Sequence, residues 1–359
     1  MIVSMLGLRA PGAEGGVEMA VAALAPRLAK RGIRVRIICR KGWLSPDFHA
    51  PGVDLVEVAA PRGAGWEALA HSFLGLPAAL RGADLLHLHA AGPGGLAPLA
   101  RLAGKPVVVT LHGEDWARSR WGTAAAATLR AAWTAAQTAD AIIAVSTSLL
   151  PAVAPVGATW IPNGVDSVPF APLEAAGVPG LKPGFWLVLG RIVREKNVET
   201  AIRAHAAIRG APPLVIVGSS AHDPREVARL AKAAGPGVVF TGPRFGGSKA
   251  ALLHGAALMI CPSTLEGLPL AVLEAMSAGT PVIASDIPPH RELLGAAVGP
   301  APADLAGWIA ALRGFDPVAA RRDAAARASA VQATWSWDRV ADRTEAVYRG
   351  VLSRCRHAM

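Results

Sequence analysis

Short apolar runs alternate with longer alanine-rich segments of helical period along most of this 359-residue chain. Continuous runs of Val, Ile and Leu are typical of strands buried on both faces, as in a parallel sheet covered by helices. An irregular, Pro-rich stretch between Asn163 and Pro183 interrupts the alternation, and a second series follows it. The sequence therefore predicts an α/β fold of two doubly wound, Rossmann-like domains that face each other across a cleft.

The predicted domain boundaries follow from this pattern. We expect an N-terminal domain over 1–166, a linker over 167–184, a C-terminal domain over 185–335 and a terminal helix over 336–359. The predicted strands are 2–6, 34–39, 54–58, 85–89, 107–111 and 141–145, followed by 186–189, 214–217, 238–241, 258–261 and 282–285. Predicted helices include 17–31, 94–103 and 124–138. Ligands of such sheets bind beyond the carboxyl ends of the strands.

The composition favours a cytoplasmic setting. Residues 1–7 read as a strand with no basic segment ahead of them, so no secretory signal is expected. No apolar stretch approaches the length needed to cross a bilayer. Cys39, Cys261 and Cys355 are far apart and lack the paired spacing of a zinc site or a disulfide framework. A reducing compartment is therefore expected.

The charge balance favours anionic partners, because 36 basic and 26 acidic side chains give a formal net charge of +10. Basic residues are concentrated in two groups: Arg27, Lys30, Arg31, Arg34, Arg36, Arg40 and Lys41 near the start, and Arg339, Arg343, Arg349, Arg354 and Arg356 near the end. The sequence has no zinc finger, no recognisable RNA-binding motif and no interleaving of basic and aromatic residues, so nucleic acid is not the predicted partner. A generally basic, solvated surface is the simpler alternative.

Two carboxylates, Glu266 and Glu274, lie eight residues apart around a predicted loop-to-helix junction. Pro269 suits the first position of a helix, and Gly279 ends that helix. Gly267 permits the close approach of a ligand, while the free N–H groups of the first helical turn favour an anion. The spacing suits a phosphate-bearing ligand with one carboxylate at each end. The alternative is a helix cap at Glu266 and a solvated Glu274.

The segment 261–286 resembles the donor-binding signature of the retaining glycosyltransferases of family 4, which have the GT-B fold. The shared pattern is Pro-Ser, the two glutamates, Gly-x-Pro and a following Ala-x-Gly-x-Pro-Val-Ile-Ala. Other family-like pieces occur in the expected order: Gly15-Gly16-Val17-Glu18, Thr110-Leu111-His112-Gly113, Pro162-Asn163-Gly164-Val165-Asp166, Gly190-Arg191 and Glu195-Lys196. The resemblance covers nearly the whole chain, and 15–40 and 112–122 are similar to polysaccharide and rhamnosyl-type transferases.

The resemblance implies a site for a nucleotide-diphosphate sugar. The implied catalytic residues are Arg191, Lys196, Glu266 and His112, and the implied donor-binding residues are Gly15, Gly16, Gly190, Gly267, Leu268, Leu270, Glu274, Gly242 and Arg244. Arg191 and Lys196 would hold the two phosphates and stabilise them as they leave. Glu266 would bind hydroxyls of the donor sugar and Glu274 those of the ribose. His112 would contact the donor sugar near the reacting carbon.

Simpler readings stay open for these side chains. Arg191 and Lys196 could be surface charges, and His112 could merely satisfy a backbone group at a strand end. Of the two other strand-end histidines, His87 is interpreted as structural and His89 is left undecided. The sequence has no Asp-x-Asp motif and no His or Cys cluster of ligand spacing, so we expect neither a metal ion nor a cofactor.

The segment 242–249 superficially matches a phosphate-binding P-loop. Its last two residues are Ser-Lys, whereas the motif requires Lys followed by Ser or Thr, so the P-loop reading is rejected. In the resembled family this loop lies beside the nucleotide base, and Gly242 and Arg244 are assigned to base contact on that ground.

The predicted function is a metal-independent retaining glycosyltransferase that moves a hexose-type sugar to a glycan or lipid-linked acceptor. Front-face attack is the implied mechanism; a double displacement would need a carboxylate, for which Glu114 and Asp115 are the nearby candidates. The alternatives are a nucleotide-sugar epimerase, an inverting transferase of the same fold, or a catalytically silent nucleotide-sugar-binding module. Acceptor contacts are expected in loops 42–50, 62–73 and 116–122.

Two further expectations rest on the resemblance. Lipid-linked acceptors make an anionic phospholipid surface the favoured partner of the basic groups, which predicts a peripheral position on the inner face of the membrane. The segment after Trp335-Ser336-Trp337 resembles a helix that crosses back onto the first domain; simple packing on the second domain is the alternative.

Overall fold

The chain divides into two compact units in the computed structural model, which describes residues 1–44, 48–61, 67–118, 122–153, 157–220 and 224–357. The first unit consists of Met1–Gly164 with Trp337–Met359, and the second of Val165–Ser336. The segment 167–184, predicted as a linker, lies inside the second unit. Its short 3-10 turn, Leu173–Ala176, buries Ala176 completely, and a Cβ on Gly255 would lie 3.0 Å from Leu173 Cδ1. This irregular, Pro-rich backbone is thus part of the packed second unit, which its composition alone did not indicate.

The first unit is built on a parallel sheet. In chain order its elements are β1 (Ile2–Leu6), α1 (Gly16–Lys30), β2 (Arg34–Arg40), β3 (Val53–Val58), α2 (Glu67–Leu80), β4 (Leu85–His89), α3 (Ala91–Gly94), α4 (Ala97–Leu102), β5 (Val107–Leu111), α5 (Thr123–Ala136), β6 (Ala141–Ala144) and β7 (Thr159–Trp160). The seven strands run in the order β3-β2-β1-β4-β5-β6-β7. Strands β4 and β5 are buried throughout, as continuous apolar runs predict.

Two local predictions for this unit were wrong, and one short strand was missed. The range 94–103 is not one helix but the end of α3 followed by α4, and β7 was not predicted. The loop expected over 62–73 is helical from Glu67 onward, while 62–66 lie outside the described residues. Gly75 and Pro77 argue against a helix there, but α2 packs closely on the sheet: a Cβ on Gly75 would lie 2.9 Å from Ile38 Cγ2. Tertiary packing therefore overrides weak local propensity.

The second unit contains a shorter parallel sheet. Its elements are β8 (Trp186–Leu189), α6 (Val198–Ala206), β9 (Leu214–Val217), α7 (Pro224–Ala233), β10 (Val238–Gly242), α8 (Gly246–Gly255), β11 (Leu258–Cys261), α9 (Leu270–Ser277), β12 (Val282–Ala284), α10 (Pro288–Leu294), α11 (Leu305–Arg313) and α12 (Pro317–Thr334). The five strands run in the order β10-β9-β8-β11-β12. The order reverses between β8 and β11, and the crevice at such a switch point is where ligands bind in α/β sheets.

The last helix, α13 (Trp337–His357), belongs to the first unit. Its Tyr348 is fully buried and its hydroxyl lies 2.6 Å from His87 Nδ1, while Asp342 forms an ion pair of 2.6 Å with Arg31, the C-cap residue of α1. The two parallel sheets and their helices confirm the predicted α/β class for both units. Among the described residues, no helix combines the length and the apolar character that a membrane span requires.

Candidate active site

The loops after β8 and β11 bring Lys196 and Glu266 together at the switch point of the second unit. Lys196 ends a 3-10 turn that follows β8, and its Nζ lies 2.6 Å from Glu266 Oε1. Ser263 Oγ donates a hydrogen bond of 2.7 Å to the same oxygen. Burial tends to raise the pKa of Glu266, but the Lys196 ammonium and the Ser263 hydroxyl outweigh it, so the pKa lies below its ordinary value. Glu266 is therefore a carboxylate with a fixed orientation.

Hydrogen bonds to backbone carbonyls hold the Lys196 loop in place. Asn197 adopts the left-handed conformation with φ 51° and donates from Nδ2 to the carbonyls of Pro262 at 3.1 Å and Pro302 at 3.0 Å. The Thr264 N–H donates to the Glu195 carbonyl at 2.8 Å. The two loops are therefore tied to each other independently of the ion pair. Sequence reasoning missed Asn197; an Asn directly before a helix is the one signal that could have marked it.

Gly190, which follows β8, is pressed against the loop that follows β9. A Cβ on Gly218 would lie 1.9 Å from the Gly190 carbonyl oxygen, and Gly218 itself has φ 144°. Only glycine fits at position 218. Because it has no side chain, the ends of β8 and β9 approach each other closely, and the 190–196 loop starts close to the sheet. Arg191, which comes next, is half-buried. Gly242 accepts a hydrogen bond of 3.1 Å from the Gly218 N–H.

Glu274 lies on α9 and is paired with a lysine of the rejected P-loop. Lys249 Nζ, on α8, lies 2.6 Å from Glu274 Oε1. The two glutamates of the signature thus have separate lysine partners, and neither is the freely solvated helix residue of the simpler alternative. In the sequence, Lys249 was considered only as part of the rejected P-loop. Its pairing with Glu274 was missed because an ion pair between two helices leaves no local pattern in the sequence.

The remaining predicted donor residues surround this loop and helix. Leu268 is buried, and Gly267 and Leu270 are partly exposed. Pro269 was predicted to be the first residue of α9. It is the N-cap instead, and the helix begins at Leu270. Arg244 donates from Nε to the Ala176 carbonyl at 3.2 Å, which ties its guanidinium to the segment once predicted as a linker.

A cluster of metal-ligating residue types also lies here, which the spacing in the sequence did not reveal. One ligand atom from each of Cys261, Glu266 and His290 lies within 4.8 Å of the others. His290 follows β12, the neighbour of β11, so strand adjacency brings together residues that are 29 apart in sequence. The spacing rules for zinc motifs do not detect such a group.

The first unit gathers histidines at the ends of β4 and β5. His112 Nε2 lies 3.1 Å from His89 Nδ1, and His89 Nε2 is buried with no hydrogen-bond partner among the described residues. Burial lowers the pKa of His112 to about 4, although Asp115 and Glu18 oppose the shift, and burial lowers that of His87 to about 3. Burial also holds the pKa of His89 well below its ordinary value, so all three rings are neutral at pH 7. His87 bonds Tyr348 at 2.6 Å and Thr110 at 2.7 Å, as expected of a structural residue.

The glycines after β1 lie at the start of α1. Gly15 is its N-cap with φ 156°, and a Cβ there would lie 2.0 Å from Glu18 Oε2. A Cβ on Gly16 would meet no atom of the described residues within 4 Å. Glu18 is buried and paired with Arg9, Nε to Oε1, at 3.0 Å. Sequence reasoning did not identify this ion pair.

Residues 14–168 match the family described as Glycosyltransferase Family 4, and residues 185–314 match Glycosyl transferases group 1. A GDP-mannose-dependent alpha-mannosyltransferase of Mycobacterium tuberculosis is 32% identical over 308 residues, which cover 77% of this chain and 76% of that protein. The chain belongs to the family 4 glycosyltransferases. A glycogen synthase of the same species is 35% identical over 205 residues, 53% of this glycosyltransferase chain, and the match spans about half, 48%, of that relative.

Solved structures agree on the fold of this glycosyltransferase. Sucrose-phosphate synthase from Thermosynechococcus elongatus has a TM-score of 0.82 at 23% identity, covering 98% of this chain and 99% of that one. Anabaena HepE in complex with UDP and glucose has a TM-score of 0.78 at 18% identity, covering 98% and 100%. The GT-B class predicted from the sequence is confirmed.

Proposed function

We propose that the protein is a metal-independent retaining glycosyltransferase that transfers a sugar from a nucleotide diphosphate to a glycan or lipid-linked acceptor. The observation that carries the proposal is the Lys196–Glu266 pair at the switch point of the second sheet. A fixed ammonium there can neutralise a departing diphosphate, and a fixed carboxylate beside it can accept hydrogen bonds from sugar hydroxyls.

The other donor contacts follow from their positions. Arg191 follows Gly190 in the same loop as Lys196, so its guanidinium is the second cation proposed for the phosphates. The α9 N-terminus adds N–H groups that favour an anion. Glu274, held by Lys249, is proposed for the ribose hydroxyls, and Gly242 and Arg244 for the base. His112, a neutral imidazole, would offer the donor sugar a hydrogen bond without a competing charge.

For the chemical step we propose front-face attack. The acceptor hydroxyl attacks the anomeric carbon on the side from which the phosphate leaves, and the departing phosphate oxygen takes the hydroxyl proton. Lys196 and Arg191 stabilise the negative charge that develops on that phosphate. A double displacement would need a free carboxylate; of its two candidates, Asp115 is paired with Arg118 at 3.1 Å. Retained product stereochemistry in Glu114→Gln would contradict the double displacement at Glu114.

The names of two relatives guide the choice of substrates. One relative, of which the match covers 76%, is named a GDP-mannose-dependent alpha-mannosyltransferase. Another, from Xanthomonas campestris and 33% identical over 254 residues, is named a GDP-mannose:cellobiosyl-diphosphopolyprenol alpha-mannosyltransferase. We therefore place GDP-mannose first among donors, with a diphosphopolyprenol-linked glycan as the acceptor. UDP-glucose is the second donor to test, because the HepE structure of the same fold contains UDP and glucose.

The test is release of nucleoside diphosphate from a panel of sugar nucleotides, with and without acceptor and with and without EDTA. We expect acceptor-dependent release that EDTA does not reduce, and a fall of about 100-fold or more in kcat for Arg191→Ala. Arg194→Ala, an exposed arginine of the same loop, is the matched control. Turnover of no donor, together with unchanged nucleotide affinity in Arg191→Ala, would refute the proposal. Acceptor-independent conversion of the sugar would indicate an epimerase.

Contact with an anionic membrane surface is part of the proposal. Lys30 and Lys41 are exposed, whereas Arg27 and Arg31 are paired with acidic residues of α13. The informative change is therefore Lys30→Glu with Lys41→Glu, because reversing Arg31 would also disturb α13. We expect reduced binding to vesicles of anionic phospholipid. Lys182→Glu with Lys232→Glu, two exposed lysines of the second unit, is the control; equal binding by both variants would contradict membrane contact at this surface.

A further inference from the structure

Cys261, Glu266 and His290 place a thiol, a carboxylate and an imidazole around one point in the second unit. We propose that they form a binding site for a thiophilic divalent cation such as Zn²⁺, and that a cation bound there withdraws Glu266 from Lys196 and so inhibits the enzyme. The site is inhibitory and not catalytic. The binding half of this inference is independent of the proposed function; only the inhibition rests on it.

The distances suit a tetrahedral ion. Cys261 Sγ lies 3.6 Å from His290 Nε2. Zn–S bonds of about 2.3 Å and Zn–N bonds of about 2.0 Å at a tetrahedral angle separate the two ligand atoms by roughly 3.5 Å. All three ligand atoms lie within 4.8 Å of one another, so only the carboxylate must move toward the ion. Cysteine, histidine and glutamate are also the ligand types that zinc prefers.

The orientation of the His290 ring is an independent observation that points to a ligand. Nδ1 lies 2.8 Å from the Ser285 carbonyl, which can only accept a hydrogen bond, so Nδ1 carries the proton. In the neutral ring Nε2 then has its lone pair on the side of Cys261. Ligating histidines are commonly held in this way, with the other ring nitrogen donating to a carbonyl. The ring is already in the tautomer that a metal requires.

The elements that carry the three ligands are well fixed. Cys261 ends β11, Glu266 lies in the following loop, and His290 lies on α10 after β12, the neighbour of β11. Cys261 is 5% and His290 0% exposed, whereas the Glu266 side chain is 10% and the Lys196 side chain 19% exposed. A cation would therefore enter on the side of Glu266 and Lys196, and the thiol proton would leave to solvent as the cation binds.

Lys196 is the competitor that makes the proposal specific. Its ammonium lies 2.6 Å from Glu266 Oε1, the carboxylate that the ion would take as a ligand. Two cations cannot share that oxygen without mutual repulsion, so bound metal displaces the lysine from Glu266. Removal of the lysine charge should tighten metal binding, which a metal held at a distant thiol such as Cys355 would not show.

Cobalt(II) is the probe, because a bound thiolate gives it a sulfur-to-metal charge-transfer band and a tetrahedral site gives intense visible bands. We expect the wild-type protein and Cys355→Ser, which removes the partly exposed thiol of α13, to bind one equivalent with both signatures. Cys261→Ser should lose the charge-transfer band. Lys196→Met should bind cobalt about tenfold more tightly than wild type.

Absence of the charge-transfer band in folded wild-type protein, or its persistence in Cys261→Ser, would overturn the proposal. Circular dichroism establishes that each variant is folded. If Cys261→Ser does not fold, Lys196→Met decides, and unchanged or weaker cobalt affinity there rejects the site. In turnover assays, Zn²⁺ should inhibit wild type and Cys355→Ser reversibly. If no donor is turned over at all, the proposed function fails while the cobalt measurement still tests the site.

Discussion

The ion pair between Lys196 and Glu266 predicts losses of both stability and activity when the lysine is replaced. Their side chains are 19% and 10% exposed and 2.6 Å apart, so Lys196→Met leaves a poorly hydrated carboxylate without its cation. We expect a loss of about 3 kcal/mol in the free energy of unfolding and a fall of roughly 100-fold or more in kcat. Urea denaturation and nucleoside diphosphate release measure the two effects.

A second substitution separates the structural role of Lys196 from its catalytic one. Lys196→Met with Glu266→Gln removes both charges, so stability should largely return while activity should not. Lys249→Met is the matched control, because it breaks the 2.6 Å pair with Glu274 and should raise the KM for the donor with less effect on kcat. Recovery of activity in the double variant would contradict the catalytic role.

His112 predicts a pH dependence of stability. Burial lowers its pKa to about 4, below the ordinary 6.5, so the unfolded chain takes up the proton first. The stabilisation is complete above pH 6.5 and is lost as the pH falls toward 4. His112→Gln should reduce this loss by up to about 3 kcal/mol, since one pKa unit corresponds to about 1.4 kcal/mol. Denaturation between pH 7 and 4 measures it, with the exposed His49→Gln as control. Identical curves for the two variants would contradict the burial argument.

At the scale of elements, the close approach of the ends of β8 and β9 supports the Lys196 loop. A Cβ on Gly218 would lie 1.9 Å from the Gly190 carbonyl oxygen, whereas a Cβ on Gly210 would meet no atom within 4 Å in the part of the chain that the structure describes. Gly210 has φ 72°, so Gly210→Ala measures the strain of a left-handed alanine alone, about 1 kcal/mol. Gly218→Ala adds the collision and the strain of φ 144°, so it should cost clearly more, with weaker donor binding by calorimetry. Equal losses would show that the strand ends can separate freely.

The elements also show what the sequence could and could not predict. The runs that became β1, β4, β5, β8, β9 and β11 were predicted with their observed bounds, because continuous apolar runs leave little choice of period. Helix α2 was missed because Gly75 and Pro77 mask a helix that packing stabilises. In the site, the motif placed Glu266 and Glu274, but Lys249 and His290 are brought in by pairings across the fold that no local pattern records.

At the scale of the whole molecule, the first unit is completed by a distant part of the chain. Residues of α13 pack with the N-terminal segment although the entire second unit separates them in sequence. Tyr348, the one tyrosine of the chain, fills a fully buried place there and bonds His87 at 2.6 Å. The stability of the first unit therefore depends on residues that follow the second unit in sequence, whereas Val165–Ser336 is a continuous segment.

Tyr348→Phe tests this dependence with a change of one atom. Phenylalanine fills the same space but leaves the buried His87 Nδ1 without its partner, which should cost about 1–3 kcal/mol. Hydrogen exchange should show the loss in strands of the first unit, such as β4 and β5, and not in β8 or β11. The control is Arg349→Ala, which changes the exposed residue that follows Tyr348 on α13. A uniform loss of protection across both sheets would mean that the two units unfold as one cooperative body, and no loss at all would mean that the hydroxyl does not stabilise α13.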